Sequence, residues 1–332
     1  MTPAIEFPSD DELMDGPNAL EDFDGEFHVE VPDDFRAGFA AIVGRPNVGK
    51  STLTNALVGE KIAITSMRPE TTRHSVRGVV TGEDYQIVLV DTPGYHRPRT
   101  LLGKRLNSMV REALSDVNVV VFCLPCDQKV GPGDEFIARQ LRGLRVPVVA
   151  LATKVDAVGN ERVLRHLSDI DQLGDWAEII PVSARTGYQV DKVRDILKHF
   201  MPVSPPLYPL DATTDEPVEV MIAELVREAA LEGVRHELPH SLAVQVEEII
   251  EHDKKPGQRY PAKLDIHVNL FVERDSQKAI MIGKGGARLK QIGTEARQQI
   301  EAMLKRRVYL ALHVRTAKDW QSDPKMLGKL GF

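Results

Sequence analysis

Residues 44 to 51 read Gly-Arg-Pro-Asn-Val-Gly-Lys-Ser, between an apolar run at Phe39–Val43 and a helix-forming stretch at Thr52–Val58. A strand that feeds a glycine turn and then a helix leaves few folds open to the chain. The glycines let the backbone curl so that successive N–H groups converge, and the helix adds its positive end. Such a nest holds phosphate. Gly44, Arg45, Pro46, Asn47, Val48, Gly49, Lys50, Ser51 and Thr52 are therefore candidate phosphate contacts. Lys50 is placed to reach β- and γ-phosphates, and the Ser51 hydroxyl to ligate Mg²⁺.

The elements that must accompany such a loop follow in order. Asp91-Thr92-Pro93-Gly94 ends the apolar run Gln86–Val90. An Asp there can hold Mg²⁺ through a water, and the Gly94 N–H can meet the γ-phosphate. In the polar stretch between Lys61 and His74, a hydroxyl is needed to complete the Mg²⁺ shell, and Thr72 is chosen over Thr71. Thr153-Lys154-Val155-Asp156 follows the run Val146–Ala152. A carboxylate at Asp156 accepts from the N1–H and the exocyclic amine of guanine, a donor pair that adenine lacks. The base-reading motif is usually Asn-Lys-x-Asp, so Thr153 departs from it and weakens any direct bond to the base from that position. Ser183-Ala184-Arg185 fits a last loop whose backbone meets the guanine oxygen.

From residue 37 to 202, strands at Phe39–Val43, Gln86–Val90, Val117–Leu124, Val146–Ala152 and Ile179–Pro181 alternate with helical stretches such as Thr52–Val58, Leu101–Leu114, Asp134–Leu144 and Val190–Phe200. Continuous Val/Ile/Leu strands between helices predict an α/β P-loop NTPase domain with a mainly parallel sheet covered on both faces. Residues 203–217, rich in proline, read as a semi-rigid linker. Beyond it, residues 218–332 predict a smaller α+β domain: a helix at Val218–Glu232, strands at Leu242–Ile250 and Leu264–Val272, a glycine turn at Gly283–Gly286, a helix from Ala287 to Lys305 and a strand at Val308–Val314.

Charge divides the chain further. The net charge is −7, yet residues 1–36 alone hold twelve acidic side chains against Arg36, which leaves about +4 for the remainder. That leader is expected to be disordered, because its apolar surface is too small to offset ordering entropy. Between Gln277 and Lys318, ten Lys and Arg face only Glu295 and Glu301, as suits a polyanion partner. No run of 18 apolar residues occurs, so no transmembrane helix is expected, and the acidic N-terminus is not a secretory signal. Two cysteines, Cys123 and Cys126, suit a reducing compartment; they end a buried strand without a second pair, so structural thiols are expected rather than a metal or redox site. His236 and His240 are not expected to share a metal, since Pro239 breaks their helix, and His74 and His96 read as loop residues.

Taken together, Gly-Arg-Pro-Asn-Val-Gly-Lys-Ser, Pro-Glu-Thr-Thr-Arg-His, Asp-Thr-Pro-Gly, the Lys-Val-Asp loop and a later Gly-Lys-Gly-Gly resemble the Era family of bacterial GTPases from about Phe39 to Phe332. The resemblance implies a Ras-like G domain joined to a type II KH domain. It also implies GTP and GDP as ligands, binding near the 3′ end of 16S ribosomal RNA, and a role in assembling the 30S subunit. It further implies a monomeric cytoplasmic protein with peripheral association at the inner face of the membrane. Tyr95 stands where Ras-type enzymes carry a water-orienting Gln. Asn47 matches the residue that in relatives holds a K⁺ bridging the β- and γ-phosphates, so slow, K⁺-assisted hydrolysis is expected, with Lys50, Thr72, Gly94 and Asn47 nearest the chemistry.

In this setting Ile282-Gly283-Lys284-Gly285-Gly286 reads as a GXXG loop that lets a nucleic-acid backbone approach closely. Lys284, Arg288 and Lys290 supply charge, and Ile282, Ile292 and apolar residues of Leu264–Val272 are expected as groove walls. Two competing readings remain: a passive RNA-binding assembly factor that seldom turns over, and an ATP-dependent RNA enzyme.

Overall fold

The structure, a computed structural model, describes residues 31–65, 75–95, 101–232, 241–252 and 263–330. Its first half is built on a six-stranded sheet of order β2-β3-β1-β4-β5-β6. The strands are β1 (Arg36–Val43), β2 (Val76–Thr81), β3 (Tyr85–Asp91), β4 (Val119–Pro125), β5 (Val148–Thr153) and β6 (Glu178–Pro181). All pairs are parallel except β2 with β3. β4 is apolar throughout, as are β1 after Arg36 and β5 before Thr153, because alternate residues serve different faces. Ala40, Ile42, Val119, Val121, Val149 and Leu151 pack with α1 (Lys50–Val58) and α5 (Val190–His199). Ala41, Val43, Val120, Phe122, Ala150 and Ala152 pack with α3 (Pro132–Leu141) and α4 (Asn160–Leu173). Helices on both faces thus explain the unbroken Val/Ile/Leu runs.

Helix α2 (Leu101–Ala113) serves two masters. Its Val110 joins the sheet core, while Leu102 and Leu106, one turn apart, pack with Phe271, Trp320 and Leu327 of the second half. The sequence reading omits β2, whose Arg77 and Gly78 break a strand pattern. The glycine is needed there, since a Cβ would lie 2.5 Å from Ile62 Cδ1 and 2.8 Å from Val58 Cγ2. The leader also ends earlier than the sequence reading has it. Phe35 is buried, its carbonyl accepts from Ser204 N–H at 2.9 Å, and Arg36 already begins β1. Residues 1–30 lie outside the described residues.

The second half runs α6 (Val218–Leu231), β7 (Ala243–Glu251), β8 (Leu264–Val272), α7 (Asp275–Ile282), α8 (Ala287–Leu304) and β9 (Val308–Thr316), closed by α9 (Pro324–Lys329). β8 lies between β7, antiparallel, and β9, parallel. The parallel pair needs a crossover, which α7 and α8 provide. Ile222, Val226 and Ala229 of α6 and Ile292, Ala296 and Ile300 of α8 cover one face of the sheet. Helix α7 and the closing turns at Trp320 and α9 were not among the sequence expectations.

The linker is strapped down rather than suspended. Gln86, fully buried in β3, accepts from the N–H groups of Leu207 at 2.7 Å and Tyr208 at 2.9 Å, and its amide donates to the Tyr208 carbonyl at 3.0 Å. Val79 N–H of β2 donates to the Thr213 carbonyl at 2.8 Å, so the linker covers the sheet's outer edge. Gln86→Leu keeps the volume but strands two N–H groups. It should cost about 2–3 kcal/mol in urea unfolding and speed proteolysis within residues 203–217.

Candidate functional site

The loop between β1 and α1 is shaped by what holds its carbonyl oxygens. Lys50 Nζ donates to the Gly44 and Arg45 carbonyls at 3.3 and 3.1 Å. Tyr95 N–H donates to Gly44 O at 3.1 Å, and Thr153 Oγ1 donates to Val48 O at 2.6 Å. With carbonyls turned to the protein, the intervening amides face the cradle. Asn47 and Gly49 take the left-handed backbone region, with φ of 62° and 100°. Arg45 leaves the cradle sideways: its Nε donates to the buried Asp134 of α3 at 2.7 Å.

Asp91 ends β3 and is fully buried near Lys50. Burial pushes the Lys50 ammonium below its usual range, and the Asp91 charge opposes that shift. Thr92 Oγ1 donates to Ile42 O at 2.7 Å, fixing the start of the next loop against β1. Pro93 and Gly94 are buried behind it. The Tyr95 ring is buried against Phe136 with centroids 5.5 Å apart, so it is not placed to orient a water. Thr72, His74 and His96 lie outside the described residues, as do His236 and His240.

The loops expected to read the base meet at the ends of β5 and β6. Ser183 Oγ donates to Asp156 Oδ1 at 2.6 Å and accepts from Thr186 N–H at 3.1 Å. Lys154, with φ of 58°, donates to Asp127 Oδ2 at 3.2 Å. Ala184 is half-buried and Arg185 exposed beside them. Thr153 is directed to the phosphate loop, not outward. An Asp at 127 and an Asp at 134 are partners that sequence reasoning missed, since nothing local pairs them with residues 27 and 89 positions away. Cys123 and Cys126 are buried, and burial pushes their thiols up to about 12 and about 11, so neither offers a thiolate near neutrality.

In the second half, Gly283, Lys284, Gly285 and Gly286 form a tight turn between α7 and α8. Gly283 has φ of 73°, and a Cβ on it would lie 2.8 Å from Arg288 Cβ and 3.0 Å from Arg288 N. Only glycine suits both demands. Beside this turn runs a groove of about 410 Å³ lined by Leu289, Lys290, Gly293 and Arg297 of α8 and by Tyr309 and Leu312 of β9. Its walls differ from the expected ones. Ile292 and the apolar residues of β8 are core, because β8 is the middle strand, so the edge strand β9 supplies the wall. Ile282 is half-buried and packs against that core. Lys284 and Lys290 are exposed, whereas Arg288 Nη2 is engaged with the Ala230 and Glu232 carbonyls at 3.2 and 2.7 Å. Arg297 and Tyr309 are additions that helical spacing from Lys290 and strand alternation could have found.

A glycine-rich loop opening α1, a buried acid near its lysine, and a Thr-Lys-Val-Asp loop after β5, carried on a mainly parallel sheet and followed by a GXXG turn, define a P-loop GTPase with a KH domain. A family model described as 50S ribosome-binding GTPase matches residues 39–154, and one described as KH domain matches residues 237–321. GTPase Era of Mycolicibacterium paratuberculosis is 58% identical over 302 residues, covering 90% of this chain and 99% of that protein. A crystal structure of a substituted Aquifex aeolicus Era bound to GDP and AlF4⁻ is 36% identical with a TM-score of 0.85, covering 90% of this chain and 99% of that one. Era in complex with MgGDPNP and nucleotides 1506–1542 of 16S ribosomal RNA is 37% identical with a TM-score of 0.84, at the same coverage. The chain belongs to the Era family of GTPases.

The Thr153 tie is specific to the phosphate loop, so Thr153→Val should weaken GTP about tenfold while leaving the preference for GTP over ATP intact. Competition titration with the two nucleotides checks both halves of that statement.

Proposed function

We propose that this chain is a GTP-driven switch that binds the 3′ end of 16S ribosomal RNA in the α8–β9 groove and assists assembly of the 30S subunit. The observation that carries the reading is the presence on one body of a phosphate cradle and a GXXG groove rimmed by Lys284, Lys290 and Arg297. It is supported by the relative solved with a 16S fragment over nearly its whole length.

At the nucleotide site, Gly44 to Thr52 cradle the phosphates and Lys50 meets the β- and γ-oxygens. Ser51, Thr72 and, through a water, Asp91 are hard-oxygen ligands that fit Mg²⁺, which needs few protein ligands beside phosphate and water. The metal, when bound, neutralises charge developing on the phosphates. Lys50 adds its ammonium, and the Gly94 N–H hydrogen-bonds the γ-phosphate. Thr92, Pro93 and Gly94 thereby sense whether that phosphate is present. Asp156 selects guanine, with Lys154 and the Ser183–Arg185 loop closing around the base. Asn47 would hold a K⁺ whose charge would stand in for an arginine finger, and positioning and charge, rather than a side-chain base, drive hydrolysis.

Turnover faster in K⁺ than in Na⁺ is expected, and equal rates in the two salts, both with and without RNA, would remove the K⁺ assignment. Asp156→Asn should abolish the preference for GTP over ATP; an ATP-dependent enzyme would instead favour ATP in competition and keep that choice after the substitution. In the groove, Lys284→Ala and Lys290→Ala should each weaken binding of a 16S 3′-end fragment and lower the salt slope by about 0.7. Phosphate release that is negligible with or without this RNA would point to a passive binding factor instead.

A further inference from the structure

Helix α6 is tied by polar contacts to both sites at once. Glu228, 7% exposed, accepts from the Thr65 backbone N–H at 2.9 Å and pairs with the Lys61 ammonium. Lys61 also donates to Gln299 Oε1 of α8 at 2.6 Å. Ile64, beside Thr65, is 5% exposed and belongs to the apolar core of the KH half. The same stretch is gripped from the opposite side by Asn55 of α1. Its Oδ1 accepts from the N–H groups of Ile62 and Ala63 at 3.0 and 2.9 Å, and its Nδ2 donates to Ala63 O at 2.8 Å. Asn55 lies one helical turn beyond Ser51, so it moves with the phosphate helix.

In the same last turn of α6, two to four residues beyond Glu228, the Arg288 guanidinium holds the last carbonyls, Ala230 O and Glu232 O. A cation at a helix C-terminus complements both the unpaired carbonyls and the dipole. Arg288 is in turn packed directly on Gly283, the first glycine of the GXXG turn. Hydrogen bonds and rigid helices therefore lead without a gap from Ser51, through Asn55, residues 61–65, Glu228 and α6, to Arg288 and Gly283. A carboxylate this deeply seated is costly without its partners, so a shift of the two halves breaks the Glu228 contacts together or not at all.

We propose that Glu228 is a positioning residue through which the nucleotide site and the RNA groove sense one another, with the last turn of α6, from Glu228 to Glu232, as the short strut between them. The inference rests on the switch reading above. It also gives Arg288 a place in the strut in preference to a phosphate contact.

The experiment measures the Kd of the full-length chain for a 16S 3′-end fragment, saturated either with a non-hydrolysable GTP analogue or with GDP. The ratio of the two constants is the coupling, expected to be about tenfold or more in the unaltered protein. Glu228→Gln keeps an acceptor for Thr65 N–H but loses the charge that holds Lys61, and should cut the ratio at least about threefold. Glu228→Ala should bring the ratio to within about twofold of one, with RNA-free nucleotide affinities within about threefold of the unaltered protein. By linkage the RNA-induced change in the ratio of GTP-analogue to GDP affinities must shrink by the same factor, which checks the coupling in a second titration, while a merely structural contact would shift the nucleotide or RNA constants without moving the ratio. A ratio left intact in folded Glu228→Ala, or in Glu228→Gln where the alanine variant does not fold, overturns the inference and spares the switch. An unaltered protein with a ratio of one overturns both. Arg288→Ala should lower the ratio at constant salt slope; a slope reduced by about 0.7 with the ratio intact would place the guanidinium on RNA and cut the strut there.

Discussion

A peptide unit can turn its carbonyl to the protein or to a ligand, but not both, and the phosphate loop is organised around that choice. Lys50, Tyr95 and Thr153 supply donors to the carbonyls of Gly44, Arg45 and Val48. These donors come from α1, from the loop after β3 and from the end of β5. They converge only because β1, β3 and β5 run parallel, so that their carboxyl ends open on one side of the sheet. The unbroken apolar strands, the helices on both faces and the order of the strands all follow from the need to bring those three donors to one turn.

The two halves of the chain are fastened along several lines, not joined as beads. Gln86 binds the linker to β3, Leu102 and Leu106 of α2 reach the closing segment around Trp320, and residues 61–65 are shared between Asn55 and Glu228. Trp320 anchors its own side with Nε1 donating to Ser241 O at 2.9 Å. Any motion of the nucleotide loops thus meets a packed surface on the KH side, and packed surfaces change by discrete steps rather than by gradual deformation.

Local chemistry was legible in the sequence wherever one short segment carries the whole demand. The phosphate loop needs its glycines, lysine and hydroxyl in a row; the central strands need apolar residues on both faces; the GXXG turn needs residues without a Cβ. What was not legible depends on partners far along the chain. β2 hid behind Gly78, whose bare Cα makes room for Ile62 and Val58. The groove wall was assigned to β8 because alternation reveals a face but not which strand lies at the edge. Thr153 read as a lost base contact, yet its hydroxyl serves Val48, a relation across 105 positions. Arg288 counted as one more positive charge until its helix-end carbonyls came into view.

The strap across β2 has a consequence for how the molecule is born. Thr213 and Thr214, which occupy the outer rim of that strand, are translated more than a hundred residues after it. A nascent chain that has finished the nucleotide-binding half therefore carries a vacant strand rim until its tail of prolines emerges. Completion of the first half is postponed to the moment at which the RNA-binding half begins to appear, so the earliest folded form able to resist intermolecular strand pairing already has its second half under way.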